Sequence, residues 1–182
     1  MTNANTLPDY LRDGLRLVSI GLNPSIGSVT AGYYFANPRN RFWRALNQSG
    51  FVGEALLPGR EAIEQLYREH GIGFTDIVKR PTRNAAGLRT NDFRRGAADL
   101  REKLLRYQPA VAWFHGKIAW RNQLKFGEGI TDPVPWGAQK HRIGNTRVFV
   151  TPNPSPANAA YTLDIICGWY AELKAFIEEP PA

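Results

Sequence analysis

An α/β fold, with a mostly parallel sheet covered by helices on both faces, is what this sequence predicts, and three observations carry the prediction. Short runs of branched apolar residues alternate with longer segments of helical periodicity, the order produced by strand–helix–strand crossovers and therefore by parallel pairing. The runs end at Gly, Pro or Asn, as buried strands that feed tight loops do. The length, 182 residues, suits one domain with a full core, without internal repeats or low-complexity tracts. The whole chain, 1–182, is read as that domain, with 1–14 and 179–182 peripheral.

The first strand lies in Leu15 to Ser25, where Leu15, Leu17, Val18, Ile20 and Leu22 run into Gly21-Leu22-Asn23-Pro24-Ser25. Pro24 has a fixed φ and disfavours the helical region for Asn23, so the asparagine sits on rigid backbone at the strand's carboxyl end. Gly27 to Gly32 reads as a small-residue loop. Arg39 to Arg44 opens a helix to about Ser49, and Arg60 to His70 forms a second, with Ile63, Leu66 and Tyr67 at helical spacing. Gly73 to Val78 is a short strand, followed by a basic loop through Arg89. Asn91 to Tyr107 is a third helix, whose Phe93, Ala97, Leu100, Leu104 and Leu105 form one apolar stripe, closed by Pro109. Ala110 to His115 is a buried strand and Ile118 to Leu124 a further helix. Trp136 to Ile143 and Arg147 to Pro152 bracket a hairpin turn at Gly144-Asn145. Thr162 to Ile177 is the closing helix.

Lys and Arg number 23 against 16 Asp and Glu, a net charge of +7 that favours a polyanionic partner. One cysteine, Cys167, supports neither a disulfide framework nor an iron–sulfur or Cys-rich metal site, which fits a reducing cytosol. The polar start Met1 to Asn5 is unlike a signal peptide, and the chain has no apolar run long enough for a membrane span. His70 and His141 lack metal-ligand spacing. Gly116-Lys117 lacks the remaining residues of a phosphate loop, and neither the dinucleotide glycine pattern nor the zinc deaminase pattern occurs.

The strand-end device repeats. Thr151-Pro152-Asn153-Pro154-Ser155 closes a second apolar strand, Val148 to Val150, as Asn23-Pro24-Ser25 closes the first. Together with Phe35-Ala36-Asn37-Pro38-Arg39-Asn40-Arg41-Phe42-Trp43 and Gly73-Phe74-Thr75-Asp76-Ile77-Val78-Lys79-Arg80-Pro81-Thr82, in that order, these motifs resemble the mismatch-specific uracil/thymine-DNA glycosylases of the uracil-DNA glycosylase superfamily. The resemblance spans roughly Leu15 to Phe176. It implies a three-layer α/β/α sandwich around a four-stranded, mainly parallel sheet. It also implies hydrolysis of the bond between a damaged base and deoxyribose, with no metal and no cofactor, by a monomer acting on DNA in the cytoplasm, at the nucleoid if the source is bacterial.

The chemistry asks for matching residues. A base inside a duplex must be everted into a pocket before its glycosidic bond can be reached. Phe35 resembles the stacking floor of that pocket, and packing in the core is its ordinary alternative. Bond cleavage leaves an oxocarbenium-like sugar and an anionic base, so the site must stabilise the base, place a water and exclude solvent. Asn153 and Ser155 resemble the motif that faces the base, and the backbone near Leu22 and Phe35 offers further polar groups. Asn23 resembles the water-positioning asparagine. Asp76 supplies the base that a neutral amide cannot; alternatively it caps a turn or pairs with Lys79 or Arg80. His115 ends a strand near the cleft and is read as a packed histidine.

From Lys79 to Arg106 there are nine basic residues against three acidic ones, most of the chain's surplus. Arg80, Arg83 and Arg89 lie in the loop and are the expected phosphate contacts. The family's wedge, a glycine, a bulky apolar residue and an arginine, is replaced by Pro156-Ala157-Asn158-Ala159-Ala160-Tyr161. Ala157 is too small to plug a base stack, which leaves Asn158 to bond the opposite base and Tyr161 to intercalate. Pro156-Ala157-Asn158 also resembles the single-strand-selective branch, so the expected range extends to single strands and deaminated purines. The alternative function is a non-catalytic DNA-damage-binding protein on the same fold, against which the joint presence of Asn23, Asp76 and Asn153 argues.

Overall fold

The computed structural model describes residues 6–179. Five strands form one sheet: β1 (Leu17–Gly21), β2 (Ile72–Asp76), β3 (Val111–His115), β4 (Gly137–Ala138) and β5 (Arg147–Thr151). Their spatial order is β2-β1-β3-β5-β4, parallel except for the antiparallel edge pair β4–β5. The sheet thus has five strands where four were expected. The addition is β4, two residues long and too short to leave a periodic signal. The hairpin turn at Gly144-Asn145 closes on a single bridge between Ile143 and Thr146.

Strand residues alternate between two cores, which makes the three-layer sandwich. Leu17, Phe74, Val111, Trp113 and Phe149 pack with α2 (Phe42–Gln48), α3 (Arg60–Arg68) and α6 (Leu163–Glu178). Val18, Ile20, Ala112, Phe114, Val148 and Val150 pack with α4 (Thr90–Tyr107) and α5 (Lys117–Gln123) on the other face. The stripe of α4 is buried at Ala97, Leu100 and Leu104 as its spacing requires. Thr162 caps α6, its Oγ1 accepting from the Ile165 N–H at 3.3 Å.

One segment differs from its expected form. The small-residue loop after β1 is a helix, α1 (Ile26–Ala31), begun by Ser25 Oγ accepting from Ser28 N–H at 3.1 Å and stopped by Gly32 at φ +78°. Its composition has no helical pattern, and the two caps decide it. Of the segment expected to be peripheral, residues 6–14 are tied in: Leu7 is buried, and Tyr10 exchanges backbone hydrogen bonds with Phe74 at 2.9 and 3.1 Å. A side chain at Gly73 would collide with the Tyr10 carbonyl at 2.4 Å, so the glycine permits this approach. Residues 1–5 and 180–182 lie outside the described residues. No described helix is long and apolar enough to cross a membrane.

Candidate active site

Parallel strands bring their carboxyl ends to one edge, where the loops diverge and leave a crevice. Register places Gly21 beside Asp76 and His115 beside Thr151, with Gly21 and His115 each one residue beyond the Ile20–Phe114 pair. Four strands therefore end in one row: Asp76, Gly21, His115, Thr151. A cleft of about 540 Å³ opens on that row, within the ~300–1,000 Å³ of small-ligand sites. The missing side chain at Gly21 is what admits the Asp76 carboxyl, since a Cβ there would lie 2.3 Å from Asp76 Oδ1.

Asn23 is held by its amide nitrogen. Nδ2 donates to the carbonyls of Pro24 (3.3 Å) and Arg80 (3.0 Å) and to Thr82 Oγ1 (2.7 Å). The two carbonyls can only accept, and Thr82 Oγ1 gives its own proton to Asn84 O, so the orientation of the carboxamide is fixed. Its Oδ1 is left as an acceptor. Asn153 has the opposite arrangement. Its Oδ1 accepts from the Ser155 N–H at 2.9 Å, which leaves Nδ2 as a donor. Both asparagines line the cleft.

Phe35 lines it too, with a backbone φ of +58°. A phenylalanine held in the left-handed region is strained and marks a site that the surrounding structure over-determines. One face of its ring stacks on Phe42 at 3.9 Å and 9°, and its neighbour His115 stands at 66° to it. Leu22 and Ser155 complete the expected base-binding set on the cleft wall.

The loop after β5 is gripped by a residue whose role the sequence did not reveal. Arg41, just before α2, donates to the carbonyls of Pro154, Ser155, Asn158 and Tyr161, the Ser155 contact being 2.5 Å. Its backbone N–H adds a bond to Pro154 O at 3.0 Å. The loop's own side chains are engaged as well. Asn158 Nδ2 donates to Asn153 O at 3.0 Å, and Tyr161 packs edge-on to Trp136 at 5.4 Å. Lys117 Nζ lies 4.6 Å from the centre of the Trp136 ring, so a lysine and a tryptophan not expected at the site belong to its rim.

Burial sets the electrostatics. Asp76 is only 4% exposed and its Oδ2 has no hydrogen-bond partner among the described residues. Desolvation pushes its pKa up to about 7, against the pull of the Lys79 charge. Neither expected ion partner reaches it. Lys79 binds Asp9 at 2.7 Å, and Arg80 binds Asp92 at 2.6 Å, holding that carboxyl down to about 2. His115 is 2% exposed, and burial lowers its pKa to about 3, so the ring is neutral. Glu54, Glu69 and His70 bring ligand atoms within 4.8 Å of one another, but none lines the cleft, and His70 and Gln65 both bond Glu54.

The sequence profile of the uracil DNA glycosylase superfamily matches residues 8–174. The chain belongs to the uracil DNA glycosylase superfamily. A similar fold is seen in the solution NMR structure of a uracil DNA glycosylase candidate from Methanosarcina acetivorans, with 22% identity over 96% of this chain and 98% of that one and a TM-score of 0.61. Among positions expected to touch DNA, Arg83, Ala157, Asn158 and Tyr161 line the cleft, while Arg80, Arg89 and Pro156 do not. Arg80 bonds Asp92 and donates to Gly87 O at 2.7 Å while its side chain stays about half exposed. Thr82, the last residue of the motif that begins at Gly73, and His115 also line the cleft, as do Lys117 and Trp136, which no motif announced.

Proposed function

We propose that the protein is a monofunctional DNA glycosylase that everts a damaged or mismatched base and hydrolyses its N-glycosidic bond in base excision repair. Uracil is the first substrate, with thymine or a deaminated purine besides. One observation carries this reading: Asn23 and Asn153, from strands at opposite ends of the chain, present an acceptor and a donor to one cleft that also contains Phe35 and Asp76. The everted base stacks on Phe35. The water oxygen bonds to C1′ as the C1′–N bond breaks, and the electron pair leaves with the base. Asn153 Nδ2 meets the charge that develops there. Asn23 Oδ1 orients the water, and the Asp76 carboxylate takes its proton, an exchange suited to a group whose pKa lies near neutrality.

The same reading makes the protein a cytoplasmic monomer that holds DNA through Arg83 and Arg89. The absence of a bulky wedge at Ala157 favours acceptance of uracil in single strands as well as in mismatches. Release of uracil from single-stranded, G-paired and A-paired DNA tests both parts. Excision in all three contexts is expected. Strict dependence on a mismatched guanine would exclude the broad range, and no release in any context would overturn the enzymatic reading in favour of a damage-binding protein.

A further inference from the structure

Buried polar atoms without a partner are uncommon in folded proteins and call for a reason. Seven side chains here have one among the described residues, and only two of them, Asp76 and His115, line the cleft. Asp76 already has a part in the reaction. His115 does not.

The imidazole is held by one hydrogen bond and by ring packing. Its Nε2 bonds Ser19 Oγ at 2.8 Å. Its ring packs on Trp113 at 4.2 Å and stands at an angle to Phe35 at 5.1 Å and Phe42 at 5.9 Å. None of these neighbours offers Nδ1 a partner, because the Trp113 N–H is already given to Thr151 Oγ1 at 2.8 Å. Of its two nitrogens, Nδ1 is the one without a partner among the described residues, and the residue lines the cleft.

We propose that His115 is a specificity-determining residue, whose Nδ1 hydrogen-bonds the edge of the everted base farthest from the sugar. That edge enters first, since the deoxyribose must stay with the strand at the mouth, and His115, 2% exposed, is among the most buried residues that line the cleft. In uracil, thymine and hypoxanthine it carries an N–H beside a carbonyl. Ser19 has no other side-chain partner among the described residues, and its hydroxyl can donate to Nε2 or accept from it. Rotation of that hydroxyl makes Nδ1 a donor to the carbonyl or an acceptor from the N–H. One neutral ring therefore serves either half of the lactam edge, in a pyrimidine or a purine. Ethenocytosine, whose etheno bridge replaces both groups, gives Nδ1 no such partner.

This inference rests on the glycosylase reading and narrows its substrate class. The first measurement is the ratio of kcat/KM for uracil to that for ethenocytosine, in the wild type and in His115→Phe, which keeps an aromatic ring against Trp113 but removes both nitrogens. The ratio is expected to fall about tenfold or more. A variant that merely loosens the fold slows both substrates alike and leaves the ratio in place, and that outcome overturns the proposal. The second is nitrogen-15 NMR of the wild-type histidines during titration with free uracil. The Nδ1 resonance of His115 is expected to move, and an unmoved resonance at saturation overturns the proposal too. If the wild type released no base at all, the proposed function would fail, while the titration would still decide the role of His115.

Discussion

Asp76 and His115 are titrating groups in one row that burial shifts in opposite senses. The folded protein favours protonated Asp76, so that carboxyl's contribution to stability is complete below its unfolded pKa near 3.8 and is lost as pH rises through about 7. It favours neutral His115, whose contribution is complete above about 6.5 and is lost as pH falls through about 3. The two slopes oppose each other from about pH 4 to 6.5. Asp76→Asn removes one of them, so stability measured by denaturant titration is expected to climb with pH across that window more steeply than in the wild type. The same variant is expected to melt about 5 °C or more above the wild type near pH 8, and to lose about 100-fold in single-turnover rate. The rate in the wild type is expected to rise with pH and level above about 7, and in Asp76→Asn to lose that step. Full activity in Asp76→Asn beside a dead Asn23→Ala would leave water placement to the asparagine alone.

Two short elements decide whether these groups meet a substrate correctly. At the end of β1, the carboxyl of Asp76 occupies the space of a side chain that Gly21 lacks. Gly21→Ala is expected to displace it and to slow excision about as much as Asp76→Asn. Gly27→Ala, in α1, is the control, since a Cβ there comes no closer than 4.0 Å to any atom beyond its chain neighbours and the backbone of its own helix. Before α2, the Arg41 guanidinium holds four carbonyls of the loop that presents Asn153 and Ser155. Arg41→Met keeps the apolar stem and strips those bonds. Amides from 155 to 161 are then expected to exchange faster with deuterium, and KM for uracil-containing DNA to rise about tenfold, because small displacements of a positioning loop are costly. Unchanged exchange would mean that the loop is held by its own turns.

At the scale of the whole molecule, charge is distributed less freely than its total suggests. Of the nine basic residues between Lys79 and Arg106, four are in ion pairs: Lys79 and Lys103 with Asp9, Arg80 with Asp92, and Arg101 with Glu128. Arg83 and Arg89 are exposed and make no salt bridge among the described residues. Binding to undamaged duplex is expected to weaken with salt, and Arg83→Ala to reduce the logarithmic salt slope by about one. Arg101→Ala is expected to alter it far less. A salt-independent affinity would remove phosphate contacts from the account.

The strands, the long helices and the two asparagine-proline loops were legible in the sequence because each depends on local pattern: branched apolar runs, helical spacing, and proline restricting its neighbour. So was the sheet edge that the loops share, since strand–helix alternation implies parallel strands with their carboxyl ends together. Helix α1 was not, because its two caps outweigh an indifferent composition, nor was β4, whose two residues carry no period. The contacts and electrostatics of the cleft were decided only in three dimensions. Asp76 is unpaired because Lys79 found Asp9, 70 residues away in sequence, and Arg80 found Asp92. His115 matters because burial and Ser19 leave one nitrogen without a partner, and Arg41 because four carbonyls more than a hundred residues later converge on it. Backbone preference acts between neighbours in the chain, whereas desolvation and charge act through space, and they have no value until the fold sets the distances.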